Sequence, residues 1–250
     1  MSIRDALFER YESTHARYLE GDLGERAEWF RDHVALNYGS RLPDPATAPA
    51  ILEVGCGKGF LLGALASAGY TDLAGVDLSA ADLEEAGRRF TLPALHCADA
   101  FDFMTTHAAA YDVVIAKAVL EHVRRDDTLA FLESMRGALR PGGRVIIEVP
   151  NMDWLFAQHE RHMDFTHETG FTRESLAQVL RLVFPRVDVQ PVRPVLLRSR
   201  MFRFQRSLVM PVVRRILNKV MLLMGEGADG FWWENRSLIA VADMRTGGVA

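Results

Sequence analysis

Apolar and polar positions change period along this chain. From residue 51 to about 150, short apolar runs at 51–54, 73–77, 95–100, 111–116 and 145–149 alternate with segments whose apolar residues recur at helical spacing. That alternation predicts a parallel α/β sheet with crossover helices. Ahead of it, residues 3–38 carry Phe8, Tyr11, Tyr18, Leu19, Trp29, Phe30 and Val34 at helical intervals. They read as one or two helices broken near Gly21-Asp22, with Tyr11 and His15 as candidates to face a substrate pocket. Pro43, Pro45 and Pro49 then form a linker. The chain thus divides into an N-terminal helical cap, 1–45, and an α/β domain, 46–250. Behind 150, the spacing predicts a helix over 173–183 with Thr172 as N-cap, and strands over 184–192 and 236–243.

One turn carries the first chemical signal. Ile51-Leu52-Glu53-Val54-Gly55-Cys56-Gly57-Lys58-Gly59-Phe60 is an apolar run that breaks into three glycines at alternate positions. Glycines at a strand-to-helix turn allow positive φ and let a ligand meet backbone without a Cβ. The opening amides of the following helix add positive partial charge. A dinucleotide fingerprint needs its third glycine one residue later, where Phe60 stands. Asp77 closes the second run and suits a ribose, its two oxygens accepting from both hydroxyls, while Ser79 is free to cap the next helix. Lys117 follows the fourth run, at the strand end where ligands of open α/β sheets sit. Glu121-His122 reads either as an acid/base pair or as residues that fix the turn.

Charge and composition exclude several classes. Of 250 residues, 49% are hydrophobic and 25% charged, an ordinary globular balance, and the net charge of −4 offers no general attraction for nucleic acid. Two cysteines are too few for a disulfide framework. With no apolar leader and no apolar span long enough for a bilayer, a cytoplasmic placement is expected.

The form Glu53-x-Gly55-x-Gly57-x-Gly59, with Asp77, Asp99, the Leu120-Glu121-His122-Val123 segment and Leu139-Arg-Pro141-Gly142-Gly143 before a β-branched strand, resembles class I S-adenosylmethionine-dependent methyltransferases. The resemblance implies a Rossmann-like sheet in the order 3-2-1-4-5-7-6 with the seventh strand antiparallel. It implies S-adenosylmethionine as cofactor, held around Glu53, Gly55, Cys56, Gly57, Gly59, Asp77, Leu78, Asp99, Ala100 and Ala116. Asp99 would accept from the adenine amino group, and the next amide would meet a ring nitrogen. The chain departs from many relatives at Ala118, where a polar residue is usual. After the fourth strand it reads Ala116-Lys117-Ala118-Val119, without the Asn/Asp-Pro-Pro-aromatic clamp of nucleic-acid adenine methylation, so no nucleic-acid partner is expected.

Two further stretches bear on the acceptor. The loop Arg161-His162-Met163-Asp164-Phe165-Thr166-His167-Glu168-Thr169-Gly170-Phe171-Thr172 is similar to one in methyltransferases of bacterial surface polysaccharide and lipopolysaccharide assembly. That resemblance implies an O-methyltransferase acting on a sugar or glycoconjugate; a quinone or secondary-metabolite acceptor, and a non-catalytic interaction protein, are the alternatives. A neutral imidazole can take the hydroxyl proton, and His167 is the favoured base, assisted by Asp164, with Lys117 a further catalytic candidate near the reacting centre. His162 and Asn151, at the end of the fifth strand, are the other candidate substrate contacts. His162, Asp164, His167 and Glu168 lack a clean metal-ligand spacing, and no metal site is expected. Finally, an insert over 193–234 between the last two strands is basic and amphipathic: no acid lies between Asp188 and Glu226. Its readings are contact of 200–224 with an anionic inner membrane face, recognition of a phosphate-bearing acceptor, packing on its own core, or a homodimer. Trp232-Trp233 is a candidate sugar platform.

Overall fold

The computed structural model describes residues 7, 23–92, 94–195, 200–225 and 232–244. Its centre is a seven-stranded sheet: β1 Ile51–Val54, β2 Leu73–Asp77, β3 Ala94–Cys97, β4 Tyr111–Lys117, β5 Leu139–Pro150, β6 Arg186–Pro191 and β7 Ser237–Asp243. The order is β3-β2-β1-β4-β5-β7-β6. β7 runs antiparallel to both neighbours, and the pairs β1–β2, β1–β4, β2–β3 and β4–β5 are parallel. The expected sheet is the observed one.

The helices are α1 Leu23–Asn37, α2 Phe60–Ser67, α3 Ala80–Arg89, α4 Ala100–Thr106, α5 Thr128–Ala138, α6 Ala157–His162, α7 Arg173–Leu180 and α8 Arg200–Leu223. Local chemistry accounts for their starts. Ser79 accepts from the Asp82 amide at the head of α3, and Thr172 forms a capping box with Ser175 at the head of α7. Asp99 caps α4 by accepting from Phe101 and Asp102.

Alternation along the strands sorts the core into two layers. Ile51, Val113, Ile115, Ile146 and Ile239 face Val34 and Tyr38 of α1 and Leu61, Leu62 and Leu65 of α2. Leu52, Val54, Val114, Ala116, Val145 and Ile147 face Met104 of α4, Leu132 and Met135 of α5, and Leu176 and Leu180 of α7. Each fully buried aliphatic side chain contributes about 1.5–3 kcal/mol by leaving water.

Several boundaries differ from expectation. β3 begins one residue early, at Ala94, and the expected exit follows Cys97, where Asp99 turns the chain into α4. The Pro141-Gly142-Gly143 turn lies inside β5: Tyr111 pairs with Leu139 and Val113 with Arg144, so the extra residues bulge out, with Gly142 at φ 82°. α7 stops at Leu180.

Candidate functional site

A cavity of about 580 Å³ opens at the carboxyl ends of β1, β2 and β3 and is closed by the β4–α5 connection. Its wall includes Gly55, Gly57, Asp77, Asp99, Val119 and His122. Gly55, Gly57 and Gly59 all take positive φ, at 67°, 46° and 71°. They use it differently. A Cβ on Gly57 would meet nothing within 4 Å, so its missing side chain keeps part of the cavity open. A Cβ on Gly59 would approach Ala86 Cβ to 2.9 Å and Leu92 Cδ1 to 3.0 Å, so Gly59 serves the packing of α2 on α3.

Asp77 fastens the turn. Its Oδ2 accepts from the Gly57 amide at 2.8 Å and its Oδ1 from the Ser79 amide at 2.9 Å. A carboxylate has roughly four acceptor directions, so each oxygen retains capacity for a ribose hydroxyl. Asp99 directs Oδ1 to the amides of Phe101 and Asp102. Leu78 and Ala100 complete this side of the cavity.

The other expected cofactor contacts turn away. Glu53 shares the face of Ile51 and Ile115, so its side chain lies beneath α2, 4% exposed and off the cavity wall. Burial raises its pKa well above the usual range, only partly offset by Lys117 and the Leu62 backbone. Cys56 is buried against Gly75, and burial pushes its thiol pKa up. Ala116 points into the α5 layer. These side chains, like Gly59, shape the turn from behind.

Lys117 also departs from expectation. By alternation it points under α1 with Glu148, its Nζ 3.4 Å from Glu148 Oε1 and 5.8 Å from the Phe30 ring centroid. Glu148 accepts from His33 Nε2 and from the Tyr38 hydroxyl, each at 2.8 Å. Asn37 donates to His33 Nδ1, which fixes the neutral Nε2–H tautomer. Burial opposes a charge on Glu148, but Lys117, His33 and Tyr38 together outweigh it and hold its pKa down at about 2. This is a buried structural network.

The reactive groups gather at the β4–α5 connection, against the loop after α6. The rings of His122 and His167 lie 4.8 Å apart, and Glu121 joins them: one ligand atom from each of the three falls within 4.8 Å of the others. Thr166 Oγ1 donates to Asp164 Oδ1 at 2.7 Å, so it accepts from His122 Nδ1–H at 2.9 Å and leaves the lone pair on His122 Nε2. His167 Nδ1–H donates to the Glu160 carbonyl at 3.1 Å, which leaves its lone pair on Nε2 too. Burial lowers the His167 pKa. Glu121 is 2% exposed, neither carboxylate oxygen has a hydrogen-bond partner, and burial lifts its pKa to about 8. One carboxylate with two imidazoles is a donor set that a transition-metal dication accepts. No metal site was expected from the sequence, where His162, Asp164, His167 and Glu168 lack a ligand spacing; the three groups that do meet include only His167 of those four.

His122 is on the cavity wall and His167 stands behind it. Asp164 is buried and orients Thr166. His162 is exposed at the end of α6. Asn151 is fully buried, donating to the Trp232 and Asn235 carbonyls and accepting from the Asp153 amide, so it ties the strand end to the β7 approach rather than meeting a substrate. Trp232 packs on the core beneath Arg173, and Trp233 Nε1 donates to Asn218, so neither ring is an open platform. Tyr11 and His15 lie outside the described residues.

A family model described as a methyltransferase domain matches residues 26–183. Among curated relatives, the chain is 31% identical over 135 residues to a ubiquinone biosynthesis O-methyltransferase of Chelativorans sp. (strain BNC1), covering 50% of this chain and 51% of the relative. It is 35% identical over 109 residues to the protein of the same name from Hydrogenovibrio crunogenus, covering 42% and 44%. The chain spans about half the length of the curated relatives it matches. A SAM-dependent methyltransferase from Archaeoglobus fulgidus superposes with a TM-score of 0.58 at 18% identity, covering 95% of this chain and 98% of its own. A Burkholderia thailandensis 1,6-didemethyltoxoflavin-N1-methyltransferase, bound to its substrate and S-adenosylhomocysteine, gives 0.60 at 16%, covering 98% and 88%. At such identities the structural likeness bears on the fold.

Proposed function

Because the chain belongs to the methyltransferase-domain family and has the class I S-adenosylmethionine-dependent fold, we propose that it methylates a hydroxyl of a small quinone-type acceptor, with His122 as proton acceptor. The observation that carries this reading is a single cavity whose wall holds the glycine turn, Asp77, Asp99 and the His122 imidazole. S-adenosylmethionine is the cofactor, and when bound it supplies an electrophilic methyl group.

The residues present fit it. Gly57 lets the ligand approach the turn without a side chain, Asp77 is held by two amides with acceptor capacity towards the ribose, and Asp99 is fixed at the head of α4. The chain's own contribution to the chemistry is then orientation and proton removal. His122 Nε2, which carries the lone pair, would accept the proton that the acceptor hydroxyl gives up as it takes the methyl group. Thr166 and Asp164 hold the ring in the tautomer that can take it. His167 lies one ring behind and stays neutral more readily because burial disfavours its cation.

The relatives support this choice of acceptor. Their printed names give O-methylation in ubiquinone biosynthesis, which favours the quinone-type alternative over the sugar hydroxyl drawn from the loop. Calorimetry with S-adenosylmethionine and S-adenosylhomocysteine tests the cofactor; heat with both is expected, and none with either removes the proposal. Transfer of a labelled methyl across a panel of hydroquinones, catechols and sugars tests the acceptor. Label on phenolic oxygen is expected; label confined to sugars reverses the assignment.

A further inference from the structure

α8 stands largely clear of the body. Phe204, Leu208, Val212, Ile216 and Val220 follow one another at four-residue intervals and are 60%, 59%, 57%, 58% and 45% exposed. Residues four apart share one helical face, so they form a continuous apolar ridge about 24 Å long. The side turned inward is a different stripe: Met210, Val213, Leu217 and Met221 are half-buried. Among the described residues, two polar ties hold the helix, Arg214 to Glu234 and Trp233 Nε1 to Asn218 Oδ1. The apolar ridge is therefore not spent on the chain's own core.

Charge selects what covers it. The helix contains Arg200, Arg203, Arg206, Arg214, Arg215 and Lys219 and no acidic residue. Arg215 and Lys219 are exposed and stand next to the ridge. Apposing the same helix of a second copy would bring two acid-free cationic surfaces together in a closing, low-dielectric contact. An anionic lipid surface presents the complementary sign and an apolar layer just beneath it, which is the environment of an in-plane amphipathic helix. Spanning is ruled out for it, since no helix among the described residues is long and apolar enough to cross a membrane.

We infer that α8 is a peripheral docking element, seating the Phe204–Leu208–Val212–Ile216–Val220 ridge in the interface of an anionic bilayer with Arg215 and Lys219 at the phosphate level. The inference stands on this helix alone and goes beyond the methyl-transfer reading, whose failure would show in the calorimetry and leave vesicle binding intact.

The test is co-sedimentation of the full chain with vesicles of phosphatidylcholine containing about one-third phosphatidylglycerol, against vesicles of phosphatidylcholine alone. Binding to the anionic vesicles only is expected, weakened by salt. Val212→Glu with Ile216→Glu should weaken it at least about ten-fold, and Arg215→Glu with Lys219→Glu should weaken it and flatten the salt dependence. Both double variants should melt like the parent, because the altered side chains are exposed. No binding, equal binding to neutral vesicles, or full binding by the Val212→Glu/Ile216→Glu protein overturns the inference. So does a dimer in gel filtration that this double variant dissociates, which would give the ridge to a second copy.

Discussion

His33 Nε2 on α1 donates to Glu148 Oε2 on β5 at 2.8 Å, with both side chains almost wholly buried. That bond clamps the helix outside the sheet to the strand beside the site, and Tyr38 adds a second donor to the same oxygen. An ordinary Glu titrates near 4.5, and here the pKa is held at about 2. The folded form therefore gains stability that is fully present above pH 4.5 and is lost as pH falls towards 2, on the order of 3 kcal/mol. Tyr38→Phe removes one donor to a charged acceptor and should cost about 1.5–3 kcal/mol. It should also move the acid limb of the stability curve to higher pH. Urea unfolding from pH 2 to 7 checks both, and an unchanged acid limb would contradict this account of Glu148.

Glu121 predicts the reverse dependence. Its carboxyl is buried without a hydrogen bond and titrates at about 8 rather than 4.5. Between those values the unfolded chain releases a proton that the folded chain keeps, so stability falls as pH rises through the interval and levels off above it. Glu121→Gln removes that titration. Its stability relative to the parent should rise by on the order of 5 kcal/mol between about pH 4.5 and 8. A pH-independent difference in urea unfolding would show that Glu121 ionises normally in the folded protein.

The two cases also explain what could be read in the sequence. The strand–helix alternation, the glycine turn and the cap at Ser79 were legible because each depends on a few neighbouring residues and a repeating period, whereas the sheet order came from the family resemblance. Glu53 and Lys117 were misplaced although they sit beside that turn. Strand alternation decides which face they take, and the pull of a motif hid it. The His33–Tyr38–Glu148 network joins residues more than a hundred positions apart. Its one local sign was a lone acid, Glu148, in the apolar run Val145-Ile146-Ile147-Glu148-Val149. Likewise, the loop drew attention to His167, but only folding the loop back on α6 brings His122 beside it. The Glu121-His122 pair and His167 were each visible; that they meet was not.

Removing the imidazoles should separate their roles. His122→Ala takes away the proton acceptor on the cavity wall and should lower kcat by about a hundred-fold or more, within the range of general-base losses. Cofactor affinity should change little. His167→Ala removes a ring that backs His122 and should cost less, about ten-fold. Single-turnover rates paired with calorimetry check the ranking; a larger loss at His167 would return the base to the loop.

Asp77 should act on the cofactor rather than on the chemical step. Asp77→Ala deletes the acceptors for the ribose and also releases the Gly57 and Ser79 amides. Loss of one or two hydrogen bonds to a charged group, about 1.5–3 kcal/mol, corresponds to roughly ten- to hundred-fold weaker S-adenosylmethionine binding. Gly57→Asp should be more severe, because it fills open cavity space at φ 46° and puts a second carboxylate beside Asp77. Titration calorimetry on both variants checks this, and binding retained in Gly57→Asp would mean that the cofactor does not lie over this turn.

Lys117 offers the last discrimination, because its position along β4 suggested chemistry and its geometry gives it structure. Among the groups that lower the pKa of Glu148, Lys117 is the largest contributor. Lys117→Met keeps the aliphatic stem under Phe30 and deletes the charge. Breaking a buried ion pair from one side costs about 3–5 kcal/mol, discounted here because the ammonium is 20% exposed and water screens part of it. The variant should therefore lose some 1–3 kcal/mol, and the Glu148 carboxyl should titrate at higher pH. Turnover at a temperature where the variant is folded should stay within about three-fold of the parent, since the bonds that orient the His122 ring run to Thr166 and Asp164, while the Lys117 charge acts on the neighbouring Glu121, whose pKa it lowers. A hundred-fold fall in kcat with the fold intact would instead put the Lys117 ammonium at the reacting atoms.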